Sequence, residues 1–83
     1  MNVYNAIDKE LFEARKKHPD FAYGIFHALG FLGEEYGEVS KEITKQEPGW
    51  EERMDAELLD LIAVAIRMLR REYVHEEPTC LSD

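Results

Sequence analysis

The chain is poor in cysteine, in long apolar runs and in positive charge. It holds one cysteine in 83 residues, Cys80, so no disulfide can close within a single copy, and a passive thiol is expected there. No apolar run approaches the roughly 20 residues that span a bilayer. The first residues show no basic segment followed by an apolar stretch, so no secretory signal is expected and a cytoplasmic location is the default. Lys and Arg number 10 against 18 Asp and Glu, a net charge of −8. Such a chain lacks the basic footprint that duplex nucleic acid requires. A small anionic ligand stays open, provided that cations bridge it to the protein.

What is present suits an ordered, helix-rich protein: 45% hydrophobic and 34% charged residues. The length allows one small domain, read as residues 1–76 with a tail over 77–83. Chains of this size bury only roughly 60% of their unfolded surface, which makes oligomerisation a common remedy. Turn signals at "HPD" (18–20), "EPGW" (47–50) and "EEPTCLSD" (76–83) leave three helical stretches.

The first stretch, about 2–17, carries Val3, Ile7, Leu11 and Ala14 on one helical face and ends in a basic trio, Arg15, Lys16 and Lys17, before Pro19. The second, about 21–46, has Asp20 as its expected N-cap. Its seam of Ile25, Leu29, Leu32, Tyr36, Val39 and Ile43 repeats every three or four residues and demands a packing partner. The third, about 51–75, is apolar over a broader arc that includes Met54, Leu58, Leu61, Ile62, Ala65, Met68, Leu69 and Tyr73. The expectation is an all-α, antiparallel bundle of about three helices per chain, completed by a homodimer or homotetramer.

Within "AELLDLIAVAI" (56–66), Asp60 interrupts an apolar segment. It belongs to a stripe with Arg53, Glu57, Val64, Arg67 and Arg71 that borders the apolar face. On the second helix, Ala28, Phe31, Glu35, Glu38 and Glu42 form the equivalent stripe. If the two seams pack as antiparallel neighbours, Glu35 and Glu38 face Glu57 and Asp60. At about 4 Å and an effective dielectric near 20, each like-charged pair costs on the order of 4 kcal/mol. The four carboxylates stay ionised together only around hard cations; otherwise some take up protons. An all-oxygen ligand set favours Mg²⁺ or Mn²⁺ over zinc or copper. Taken singly, each of these acids is more simply a solvated charge on a helix face.

"GEEYGEVSKEI" at 33–43 followed by "ELLD" at 57–60 resembles the MazG-like, all-α nucleotide pyrophosphohydrolases, which include dimeric dUTPases and phosphoribosyl-ATP pyrophosphatase. The family pattern is Glu-Glu-x-x-Glu, a variable gap and Glu-x-x-Asp. The likeness runs over roughly residues 21–73 and departs from the pattern at Ala56 and at Phe31 and Leu32, where acidic and basic residues are usual. It implies Glu35, Glu38, Glu57 and Asp60 as Mg²⁺ ligands and a nucleotide substrate, a nucleoside triphosphate cleaved to monophosphate and pyrophosphate. Glu34, with Glu38, is then the expected catalytic pair, Glu34 orienting or deprotonating the attacking water.

Further residues carry weaker expectations. Arg53 and Arg67 are expected to grip phosphate, with salt bridges as the rival role, which for Arg71 is the preferred one. Trp50 either stacks on a nucleobase or seals a helix junction. Gly30, Gly33 and Gly37 share a face with Phe26, which suits close approach of another helix or a flat slot beside the carboxylates. His27 is expected to pack or face water. The Glu72–His75 spacing matches half of a di-iron motif and is set aside, since that architecture needs two. The rival reading of the whole chain is a non-catalytic acidic helical module for partner binding or oligomerisation.

Overall fold

The structure is a computed structural model that describes residues 1–74; the 77–83 tail, Cys80 and His75 lie outside the described residues. Three helices run in order: α1 (Val3–Lys17), α2 (Ile25–Lys45) and α3 (Trp50–Leu69). The all-α expectation holds: among the described residues there is no strand, only an isolated bridge between Tyr23 and Val74. No helix of the described residues is long and apolar enough to cross a membrane.

Local chemistry sets the boundaries. Asn2 caps α1, its Oδ1 accepting from Asn5 N at 3.0 Å, and the basic trio closes the last turn where the helix dipole is negative. Helix α2 starts at Ile25 rather than at 21, and its N-cap is Gly24, not Asp20. Two positive φ values explain the delay, 62° at Phe21 and 95° at Gly24, since neither residue can belong to a right-handed helix. No side chain among the described residues caps the first N–H groups of α2; His27 instead ties the chain before the cap, its Nδ1 accepting from Tyr23 N at 2.9 Å. That reach from the third helical position back to the chain before the cap resembles half a capping box.

Between α2 and α3, Gly49 takes a φ of 85°, and a Cβ there would lie 2.9 Å from Arg53 Nη1. Arg53 closes this turn by donating to Pro48 O and Glu47 O and pairing with Glu42 at 3.0 Å. Helix α3 ends at Leu69, not near 75. Arg71 adopts φ 58°, its N donates to Met68 O, and Glu72 N donates to Arg67 O, the paired bonds of a left-handed C-cap. Glycine usually fills that position. Here Arg71 holds it and donates through Nη1 to Met68 O and Leu69 O.

Helix α3 is central: α2 and α1 each pack against it, and α1 does not pack on α2. Glu42, near the end of α2, pairs with Arg53 in the first turn of α3, while Glu35, earlier in α2, lies beside Asp60, later in α3, so the two helices run antiparallel. The buried apolar residues are few and mostly small: Leu11, Ala22, Ala28, Val39 and Ala63. Of the regular seam on α2, only Val39 is buried; Ile25, Leu29, Tyr36 and Ile43 are 44–67% exposed.

Candidate functional site

Antiparallel packing of α2 on α3 sets Glu35 opposite Glu57 and Asp60, which stand one turn apart on α3. One carboxylate oxygen from each lies within 4.8 Å of the others, and all three side chains are half-buried. The Oε2 of Glu35 is buried and has no hydrogen-bond partner among the described residues. Burial raises the Glu35 pKa above the usual carboxylate range, and the charges of Asp60, Glu57, Glu38 and Glu34 push it further. Glu57 is raised for the same reasons, burial first and then Asp60, Glu38 and Glu42. Among the described residues, no Lys or Arg is ion-paired with any of the three.

A fourth acid comes from α1. Glu10 stands within hydrogen-bond reach of Asp60, and that contact, followed by burial and the charge of Asp60, pushes the Glu10 pKa up to about 7. The sequence pattern did hold a signal for it. Ile7, Glu10 and Ala14 follow the same three- and four-residue steps as the apolar face of α1, so Glu10 borders that face much as Asp60 borders its own.

The acids form one end of a cleft of about 370 Å³ between α1, α2 and α3. Glu10, Glu35 and Asp60 line it together with Phe21, Phe31, Lys17, His18 and Arg67. Its size falls within the range of small-molecule sites, roughly 300–1,000 Å³. The Phe21 and Phe31 rings stand 6.2 Å apart, and Phe31 also packs on His27 at 4.6 Å. Phe21 keeps its left-handed backbone because Arg67 lies beneath its ring, 4.7 Å from the centroid.

Arg67 is 3% exposed and its guanidinium is committed to the protein: Nε pairs with Glu72 at 2.7 Å, Nη1 donates to Ala14 O and Nη2 to Pro19 O. It borders the cleft, yet every nitrogen of its fork has a protein acceptor. Glu72 also meets Arg15 at 2.6 Å and Arg70 at 3.2 Å; the Arg15 bond first, and Arg67 with it, hold its pKa down to about 2. Glu72 lies past the end of α3 and is occupied by arginines, so it offers nothing to the di-iron pattern.

The expected site residues thus separate. Glu35, Glu57 and Asp60 come together, and exposed Glu34 lines the cleft beside them. Glu38 is exposed and outside the close trio, although its charge reaches Glu35 and Glu57. Trp50 is the half-buried first residue of α3, and Arg53 is bound into the α2–α3 turn; neither lines the cleft. Nor does any of Gly30, Gly33 and Gly37, so the slot beside the carboxylates is not built from glycines. No known protein family, curated protein or solved structure matches this chain.

Proposed function

We propose that the protein is a Mg²⁺-dependent nucleotide pyrophosphohydrolase of the MazG-like superfamily, cleaving a nucleoside triphosphate or related nucleotide to the monophosphate and pyrophosphate. The observation that carries this reading is the close trio of Glu35, Glu57 and Asp60, with a buried Glu35 oxygen that has no partner among the described residues. The donor set fits the ion: all oxygen, anionic and free of competing nitrogen or sulfur, as Mg²⁺ or Mn²⁺ prefers. Glu35, Glu57 and Asp60 would hold it, with Glu38 at the margin. When bound, the ion supplies charge neutralisation at the phosphates and Lewis-acid polarisation of the anhydride.

The chain's own residues would do the rest. Exposed Glu34, on the cleft wall, accepts a proton from a water attacking the α-phosphorus as the bond to the bridging oxygen breaks. Phe21 and Phe31 offer an apolar wall to the base and sugar, and Arg67 keeps that wall rigid from below. Glu10, whose pKa is raised beside Asp60, would give up its proton more readily with a cation bound there. The enzyme is taken to act in the cytoplasm as a homodimer or homotetramer, which would cover the apolar surface that one copy leaves exposed.

The test is pyrophosphate release from a panel of nucleoside triphosphates, with Mg²⁺ and with chelator, for the native chain, Asp60→Asn and Glu38→Gln. Asp60→Asn is expected to lower the rate roughly a hundredfold or more, in line with the several kcal/mol a catalytic ion supplies. Glu38→Gln should cost less, as befits its marginal place. Turnover that survives chelation or Asp60→Asn defeats the proposal. Absence of turnover on every nucleotide moves the reading to the non-catalytic module.

A further inference from the structure

We propose that Lys17, from α1, is the phosphate-binding residue of the cleft, its ammonium donating to oxygens of a polyphosphate held by the cation. The role rests on the cation-binding reading given above, to which it adds the group that grips the anion.

A polyphosphate carries more negative charge than one divalent ion neutralises, and it must approach a chain of net charge −8. Five acids line the cleft: Glu10, Glu13, Glu34, Glu35 and Asp60. The permanent cations that line it are Lys17 and Arg67. Arg67 is already committed, its three nitrogens meeting Glu72, Ala14 O and Pro19 O. Arg53 is bound into the α2–α3 turn and does not line the cleft. Lys17 has no hydrogen bond or ion pair among the described residues. Its ammonium is the positive charge at the cleft that the chain itself leaves open to a ligand.

Helical geometry brings that charge towards the acids. Lys17 follows Glu10 by two turns on the same face of α1, about 10 Å along the axis, with Ala14 between them. Side chains of a helix lean towards its N-terminus, so the lysine stem reaches back towards Glu10. The charge is felt there, where it opposes the rise in pKa that Asp60 and burial cause at Glu10. An ammonium that stands near the acids without bonding to them can turn its three donors to a ligand at no loss of protein contacts.

Lys17 also belongs to the basic trio at the negative end of the α1 dipole. Arg15 and Lys16 share that position, yet Arg15 is paired with Glu72 and Lys16 lies over the Phe12 ring, and neither lines the cleft. The dipole explains a basic residue at 17 but not its place in the cleft lining. Lys16 therefore serves as the control, since it carries the same charge on the same turn.

The experiment is titration calorimetry with inorganic tripolyphosphate in the presence of Mg²⁺, for the native chain, Lys17→Gln, Lys17→Arg and Lys16→Gln. Both lysines are exposed, and far-UV circular dichroism should show native helicity in every variant. The native chain is expected to bind tripolyphosphate. Lys17→Gln should weaken that binding by about tenfold or more, the scale of one hydrogen bond to a charged group. Lys17→Arg should restore most of it, and Lys16→Gln should leave it unchanged. A native chain that does not bind tripolyphosphate, a Lys17→Gln variant that binds it as tightly as the native chain, or an equal loss in Lys16→Gln would each overturn the proposal. Turnover of nucleotides is read separately. A chain that holds tripolyphosphate through Lys17 and cleaves no nucleotide keeps this site and defeats the hydrolase reading; turnover with a KM indifferent to Lys17→Gln does the reverse.

Discussion

Two clusters of ionised side chains sit about 10 Å apart along α3, on the rise from residue 60 to residue 67, and they are built on opposite plans. At the C-terminal end, one carboxylate, Glu72, is met by Arg15, Arg67 and Arg70. At one end of the cleft and beside it, Glu10, Glu35, Glu57 and Asp60 meet mainly one another. The first cluster is neutralised by the chain itself, and its carboxylate titrates far below the usual range. The second is left short of positive charge, and the pKa values of Glu10, Glu35 and Glu57 are raised, by burial and neighbouring acids. Arginine is therefore available in this fold, yet it is placed where it ties α1 to α3. Acids left without such partners inside a cleft mark a place that a cation from solution can complete.

The largest effect should come from breaking the satisfied cluster. Glu72→Gln leaves buried Arg67 with an uncompensated charge, and a loss of about 3 kcal/mol in unfolding free energy is expected from chemical denaturation. A loss within experimental error would mean that the arginines find water instead, and the contrast between the clusters would weaken.

Acidity should act on the two clusters in opposite directions. The folded-state pKa of Glu72 lies near 2, below the ordinary 4.5, so its contribution is present above pH 4.5 and is lost as pH falls towards 2. The folded-state pKa of Glu10 lies near 7, above the ordinary 4.5, so the folded protein holds a proton that the unfolded chain has released. Stability should therefore decline as pH rises from 4.5 to 7. Thermal melts across pH should show both limbs. Mg²⁺ should flatten the upper limb alone by taking the proton's place, adding about 2.7 kcal/mol at a hundredfold excess over its Kd. An upper limb unmoved by Mg²⁺ would count against a cation in the cleft.

The smallest change carries the most informative sign. Glu35→Gln removes one charge from the crowded cluster and adds a donor, so without divalent ions it should stabilise the fold by about 1 kcal/mol. Titration calorimetry should then find Mg²⁺ affinity strongly reduced. A destabilised Glu35→Gln protein would show that the carboxylate already has a partner.

Much of this was legible in the sequence, because helical periodicity and i, i+3 spacing are local. The three helices lie where the apolar steps predict, and Glu35, Glu57 and Asp60 meet as their stripes imply. The failures come from backbone conformations that residue identity does not announce. Phe21 and Arg71 take left-handed φ values at positions where glycine is usual, so α2 starts late and α3 stops early. The role of Arg67 was unreadable for a different reason. Its acceptors, Ala14 O and Pro19 O, are main-chain atoms about fifty residues away in sequence and leave no trace in the side-chain pattern. Glu10 could have been found from its spacing, but nothing in α1 alone indicates that Asp60 lies across from it.

Among the described helices α1 packs only on the central one, and it is held there in two unlike ways. Near its C-terminal end the hold is made by arginines, Arg15 on Glu72 and Arg67 on Ala14 O; further up, Glu10 stands against Asp60. The strut is bolted by opposite charges at one end and set acid against acid at the other.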